Sequence, residues 1–348
     1  MMRAAVLEEI GRLRLKQVPV PEPGPGEVLM RIETNTICGT DLRIISGAKT
    51  AGVRPGVILG HEFAGRVAAV GRGVDGVPVG AQVTCSIVVS CQRCRACLSG
   101  REQLCENLVL FGYELDGGLA EYLLVPRIAM DHGNLVVLEK EIPATTLALA
   151  EPVSCCLNGA GQVAVAPGES VVVLGTGPIG LLHIALAKLA GATTILAAGR
   201  EGRLAAATDF GATCAVALTG EALTAEVRER TNGRGADVVI VAVGDLALAN
   251  QALELAAIGG RVNYFAGFPK GKTASIDPNL IHYRELAVTG GSNARRADVR
   301  RAVELLSSGA LDVGRLVTHR FPLAELDAAV TAVARRDGLK VAVMPAAG

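Results

Sequence analysis

The chain has no tryptophan and only 3% aromatic residues, and neither sign of charge is in excess: 34 Lys and Arg stand against 34 Asp and Glu. Each absence excludes something. Without net positive charge there is no broad electrostatic pull on nucleic acid or on an anionic membrane. Few aromatics leave little surface on which unpaired bases could stack. The N-terminal "MMRAAVLEEIGRLRLKQ" lacks the apolar core and small-residue cleavage site of a secretory signal. The most apolar stretch, "ESVVVLGTGPIGLLHIALAKLAGATTILAAG", is broken by Gly and Pro and carries Lys188. It reads as strand, turn, helix and strand, not as a membrane span. The expectation is a cytoplasmic protein whose partner is a small molecule, with no nucleic acid and no membrane.

The 348 residues are 50% hydrophobic, which allows a sizeable core in two domains or one large one. Nine cysteines are present, four of them within "CQRCRACLSGREQLC". Cytosolic thiols stay reduced, so clustered cysteines there point to metal more than to disulfides. Cys91, Cys94, Cys97 and Cys105 follow the pattern C-x2-C-x2-C-x7-C. Short steps let successive thiolates turn back onto one ion, and four thiolates close a tetrahedral zinc with no open position. That is a structural site, in a lobe of residues 85–110 with little core of its own, where the ion supplies what packing cannot. An iron–sulfur cluster also takes four cysteines, but commonly with a more distant member or a following Pro. Here Glu106 follows Cys105.

Three other stretches carry isolated metal-type ligands: "TICGTDLRI" with Cys38, Thr40 and Asp41, "ILGHEFAGRV" with His61 and Glu62, and "LALAEPVSCCLNG" with Glu151. A catalytic zinc takes about three protein ligands and keeps one position exchangeable. Cys38, His61 and one carboxylate satisfy that, with Asp41 able to orient a ligating histidine. Taken singly, each has a plain alternative: a core thiol, a turn histidine, a strand-end charge.

A short β-branched run, Val171 to Leu174, precedes Gly175, Gly177 and Gly180, which form G-x-G-x-x-G with Pro178 and Ile179 between the last two. An apolar helix, Leu181 to Leu189, and a second strand, Thr194 to Ala198, follow. This strand–glycine turn–helix–strand order is the context a dinucleotide-binding turn needs. The helix N-terminal amides then take the phosphates. Further strands are predicted at "ADVVIVAVG", "GRVNYFAG" and "LAVTGG", with "ALANQALELAAIGG" a helix ending in glycine. The second strand ends at Ala198 and Gly199, where an acidic residue would hold the ribose hydroxyls, and Arg200 and Arg203 follow. Arginine without the carboxylate suits a 2′-phosphate, hence NADP in preference to NAD. The alternative is that both arginines are solvated loop charges.

Together, "CGTD", "GHE", the four-cysteine lobe, "GGLAEYLLVP", "EPVS", "GTGPIG" and "LKVAVMP" make the chain resemble the zinc-containing medium-chain dehydrogenase/reductase family over essentially its whole length. Within it the polyol group, such as sorbitol (L-iditol) dehydrogenase, is the most similar, and threonine dehydrogenases share much of the pattern. The resemblance implies an α/β fold. A GroES-like β-rich catalytic domain spans 1–154, a doubly wound Rossmann domain 155–290, and residues 291–348 return to the first domain. It also implies zinc ligation by Cys38, His61 and Glu62, with Glu151 a fourth ligand or a partner of the zinc-bound water. Thr40 would pass the substrate proton onward. Many relatives carry a histidine three residues after that threonine. Here it is Arg43, which does not titrate near neutrality, so proton release must use water, a ribose hydroxyl or another group; the alternative is that Arg43 contacts cofactor phosphate or an anionic substrate.

The activity implied is reversible hydride transfer between a secondary alcohol (a polyol, sugar alcohol or cyclitol) and its ketone. The alternatives are an amino-alcohol or amino-cyclitol dehydrogenase of the threonine type and, remotely, a non-catalytic nucleotide-binding zinc protein. Glu114 and Arg43 are candidate pocket residues. A homodimer or homotetramer is implied, with "GRVNYFAGF" as the sheet edge that pairs. Cys155, Cys156, Cys214, His132, His183, His282 and His319 lack motif partners and are expected to be structural.

Overall fold

The computed structural model describes residues 1–345. Two units form: Met1–Ser154 with the chain from Asn293 onward, and Cys155–Ser292. The helix Ala150–Val163 carries the chain from the first into the second.

The first unit is β-rich. Its main sheet runs Val317–Pro322, Lys340–Met344, Val28–Ile37, Glu62–Val70, Gln82–Cys85 and Leu135–Val137, with Tyr122–Val125 also paired to Val28–Ile37. Register matters more than strand count here. Val28–Ile37 lies antiparallel to Glu62–Val70 with Thr36 opposite Glu62, and antiparallel to Lys340–Met344 with Ile37 opposite Val341. Three strand ends from distant parts of the sequence therefore meet side by side. Beneath them is an aliphatic core anchored by Phe63 and Phe111, whose rings meet edge-on at 6.0 Å. Burying each such ring contributes roughly 1.5–3 kcal/mol.

The second unit is a six-stranded, wholly parallel sheet in the order Cys214–Val216, Thr194–Ala198, Ser170–Leu174, Ala236–Val241, Ala256–Tyr264, Ala287–Gly290. Numbered along the chain, that is 3-2-1-4-5-6, the doubly wound order in which ligands bind where the order reverses. Ser170–Leu174 and most of Ala236–Val241 are buried, as a strand covered on both faces requires.

Two local expectations are corrected. The segment "AAIGG" is not the end of a helix. The helix stops at Leu255, and Ala256 pairs with Ala236 as the first residue of a strand. An irregularity before Val238 accommodates three extra residues in the strand Ala256–Tyr264, whose pairing jumps from Ala256 to Arg261, and leaves Ile258 81% exposed. Nor is "GRVNYFAGF" the sheet edge: it is covered by Ala287–Gly290, which pairs with it from Arg261 to Tyr264. The edge is Ala287–Gly290, whose side chains are largely exposed.

His183 lies in the helix Pro178–Leu189, fully buried, its ring edge-on to Phe265 at 4.6 Å. Burial pushes its pKa down to about 3. An unfolded histidine binds a proton near pH 6.5, whereas the folded one refuses it until far lower. Its contribution to stability is therefore complete above about pH 6.5 and is lost as the pH falls toward 3. His183→Leu keeps the volume and removes the titration. The expected result is a shallower acid limb of thermal stability between pH 6.5 and 4, by about 3 kcal/mol. Parallel melting curves of the variant and the parent would show the role to be absent.

Candidate active site

Cys38 ends the central strand's run and caps the helix Gly39–Ile45. The cap is secured by Asp41, whose Oδ2 accepts the Cys38 backbone N–H at 2.8 Å. The other oxygen of Asp41 stands 3.1 Å from Nδ1 of His61. Both residues are buried, Asp41 completely and His61 to 4% exposure. Burial opposes a charge on His61, but the Asp41 carboxylate outweighs it and lifts the imidazole pKa well above its usual range. With Nδ1 turned to Asp41, Nε2 is the nitrogen left for a metal.

Glu62 begins the neighbouring strand and is 1% exposed. Its Oε1 accepts from Lys340 Nζ at 2.6 Å, and its Oε2 accepts from the Thr36 hydroxyl. Lys340 opens the last strand and is 6% exposed. Burial disfavours its charge, yet Glu62 more than compensates and holds its pKa above the lysine range. One ligand atom each from Cys38, His61 and Glu62 lies within 4.8 Å of the other two. A thiol, an imidazole and a carboxylate converging in a buried, electron-rich spot fit a zinc ion that keeps an exchangeable position. Thr40 is half-buried, two residues beyond Cys38 on the same short helix, and Arg43 is exposed one turn on.

Glu151 falls outside this group of three. It is half-buried in the first turn of the helix Ala150–Val163, close enough for its charge to act on both Tyr113 and Lys340. Glu114 is occupied by the fold: its Oε2 accepts the Leu110 backbone N–H at 2.9 Å.

Cys91, Cys94, Cys97 and Cys105 hold their sulfurs within 4.8 Å of one another. Cys94 Sγ lies 3.5 Å from Cys97 Sγ and 3.8 Å from Cys105 Sγ. A regular tetrahedron of Zn–S bonds puts its sulfurs about 3.8 Å apart, and a disulfide would bring two of them to about 2.0 Å. The spacing fits one ion and leaves no room for a multi-iron cluster. Backbone N–H groups of Cys91 and Asn107 donate to Cys105 Sγ at 3.2 and 3.3 Å. Those of Arg93 and Cys94 lower the Cys91 pKa to about 6, favouring the thiolate.

In the second unit, Gly175 adopts φ +107° and Gly177 caps the helix Pro178–Leu189, with Pro178 in its first turn and Ile179 next. A Cβ on Gly180 would lie 1.8 Å from the carbonyl oxygen of Gly175, so only glycine lets helix and strand approach so closely. The helix N-terminus thus faces the switch point of the sheet, bare of side chains, as a pyrophosphate requires. Arg203 Nη1 reaches within 3.8 Å of where a Cβ on Gly177 would stand. Arg200 is exposed just past the second strand, and the residue before it is Gly199, not an acid.

Sequence reasoning missed Lys340, Thr36, Tyr113 and Lys49. The one signal for Lys340 was a charged residue opening an otherwise apolar strand, "LKVAVMP".

Residues 24–132 match the family model for an alcohol dehydrogenase GroES-like domain, and residues 178–308 the model for a zinc-binding dehydrogenase. L-threonine 3-dehydrogenase of Pyrococcus furiosus is 37% identical over 88% of this chain and 87% of its own. L-galactonate-5-dehydrogenase of Escherichia coli is 33% identical over 93% of each. A protein described as a zinc-binding dehydrogenase, from Sinorhizobium meliloti 1021 and solved bound to NADP, is 36% identical. It superimposes with a TM-score of 0.92, covering 99% of both chains. No helix among the described residues is long and apolar enough to cross a membrane.

Proposed function

The chain belongs to the zinc-containing medium-chain dehydrogenase/reductase family, and from that premise we propose that it interconverts a secondary alcohol and its ketone with NADP, on a substrate of the threonine type. The observation that carries the chemistry is the convergence of Cys38, His61 and Glu62. Bound there, zinc would supply Lewis acidity to the substrate oxygen, and a nicotinamide cofactor held at the glycine turn would supply the hydride chemistry. The chain's own residues do the rest. Asp41 fixes the His61 ring, Lys340 and Thr36 fix the Glu62 carboxylate, and the Thr40 hydroxyl takes the substrate's proton toward water.

The relatives support the amino-alcohol alternative better than the polyol reading, since an L-threonine 3-dehydrogenase is 37% identical to this chain. A sugar-acid substrate is the second reading, supported by the likeness to L-galactonate-5-dehydrogenase. The test is a rate panel of L-threonine, L-galactonate, sorbitol and 2,3-butanediol, each with NADP and with NAD. Turnover confined to the neutral polyols would remove the threonine-type reading.

NADP is supported by Arg200 following directly on Gly199, the place where an acid would otherwise hold the ribose, and by the NADP-bound relative. Arg200→Asp is expected to lower the kcat/KM ratio of NADP to NAD on the order of 10²-fold, the size of a lost charge-assisted contact plus a new repulsion. An unchanged ratio would retire the phosphate-reading role.

A further inference from the structure

Lys49 and Tyr113 belong to none of the motifs above. Lys49 lies in the turn after the helix Gly39–Ile45, its N–H donating to the Arg43 carbonyl at 2.9 Å. Its side chain folds inward. Nζ donates to the Tyr113 phenol oxygen at 3.3 Å and sits 4.6 Å from the ring centroid. Tyr113 is 4% exposed, and its ring stands 5.6 Å from that of His61. The ammonium is therefore one aromatic ring away from the candidate catalytic ligands.

Among the described residues neither Lys49 nor Arg43 forms an ion pair, and the acids around them have other partners: Glu8 pairs with Lys16 and Arg12, and Glu9 with Arg12. Asp41 serves Cys38 and His61, Glu114 holds the Leu110 N–H, and Asp116 pairs with Arg54 at 2.7 Å. Burial pushes the Lys49 pKa down and Arg43 pushes the same way, against the attraction of Cys38, Glu114 and Asp41. An ammonium partly stripped of water and held in no ion pair, with a second cation, Arg43, near enough to act on it, forms an arrangement that an anion completes.

We propose that Lys49, braced by Tyr113, receives the carboxylate of the substrate, so that the enzyme selects secondary alcohols that are also acids. This rests on the dehydrogenase reading above and narrows it. An amino acid such as threonine and a sugar acid such as galactonate both qualify, and a neutral polyol does not. The lysine is a specificity residue; the reacting oxygen belongs to the Cys38, His61 and Glu62 cluster.

The experiment compares full-length, zinc-loaded parent, Lys49→Met and Lys49→Arg proteins on L-threonine and on 1-aminopropan-2-ol, which is threonine without its carboxylate. Lys49→Met is expected to lower the preference for threonine on the order of 10²-fold, mainly through KM, with Lys49→Arg recovering most of it. Calorimetric titration with L-2-aminobutyrate, the same acid without the reacting hydroxyl, is expected to show binding to the NADP-loaded parent and its loss in Lys49→Met. An unchanged preference, or a loss that appears in the KM for NADP instead, overturns the proposal and leaves the threonine-type reading standing. If the parent turns over no acid, that reading falls, and the L-2-aminobutyrate titration decides the lysine alone: no binding overturns its role.

Discussion

Cys38→Ser is expected to lower kcat/KM by at least ~10³-fold, with the protein losing one of its two metal equivalents while keeping its fold. The reason is that three side chains converge on one point and nothing else among the described residues of the first unit does so with an exchangeable position. Lewis-acid stabilisation of a developing oxyanion is worth several kcal/mol, and every 1.36 kcal/mol is tenfold in rate, so about 10³ is a floor. The cap that Cys38 forms is held through its backbone N–H and Asp41, both of which serine retains. Activity assays and metal analysis on the same preparation read both halves of the expectation. His61→Ala is the companion variant, and it should behave alike. Full activity in either, with zinc content unchanged, would place the chemistry elsewhere.

The second large effect is on folding. Cys94→Ser breaks the four-sulfur site without touching Cys38. The lobe has almost no core to fall back on: the helix Arg95–Leu98 buries none of its residues, and Leu98 and Leu104 are 77% and 53% exposed. Structural zinc in small domains contributes on the order of 10 kcal/mol. The lobe is tied to the helix Arg296–Ser307 through Glu102, which accepts the Arg296 N–H at 2.6 Å and pairs with its guanidinium. Losing the ion therefore loosens more than a loop. Trypsin is expected to cut rapidly at Arg93, Arg95 and Arg101, and the melting temperature to fall by about 10 °C or more. A variant as protease-resistant as the parent would mean that packing, not metal, holds the lobe.

How much of this could be read in advance follows from distance along the chain. The four cysteines lie within fifteen residues and the glycine turn within six, so local spacing alone states their geometry. The strand Thr194–Ala198 is legible for the same reason, a β-branched and apolar run between glycines. Lys340 is 278 residues from Glu62, and its meeting with it depends on the antiparallel register of three strands, which no short pattern encodes. Lys49 and Tyr113 are 64 apart and meet only because two loops fold over the same helix end. Glu114 reads as a pocket acid in the sequence, and only the fold shows that one of its oxygens takes the Leu110 amide. The misplaced sheet edge has the same origin. "GRVNYFAGF" and "LAVTGG" are both plausible edge strands, and only pairing decides which one is covered.

A zinc back-titration separates the two metal sites, chemistry at Cys38, His61 and Glu62 and folding at the cysteine lobe. The protein is dialysed against a chelator until the weaker-held ion is gone, then zinc is returned in fractional equivalents. Zinc content and the rate of L-threonine-dependent NADP reduction are measured on each sample. The expected result is a folded, inactive protein holding one equivalent, with activity rising in proportion to the second. Turnover that persists in samples lacking the second equivalent would contradict this division of labour.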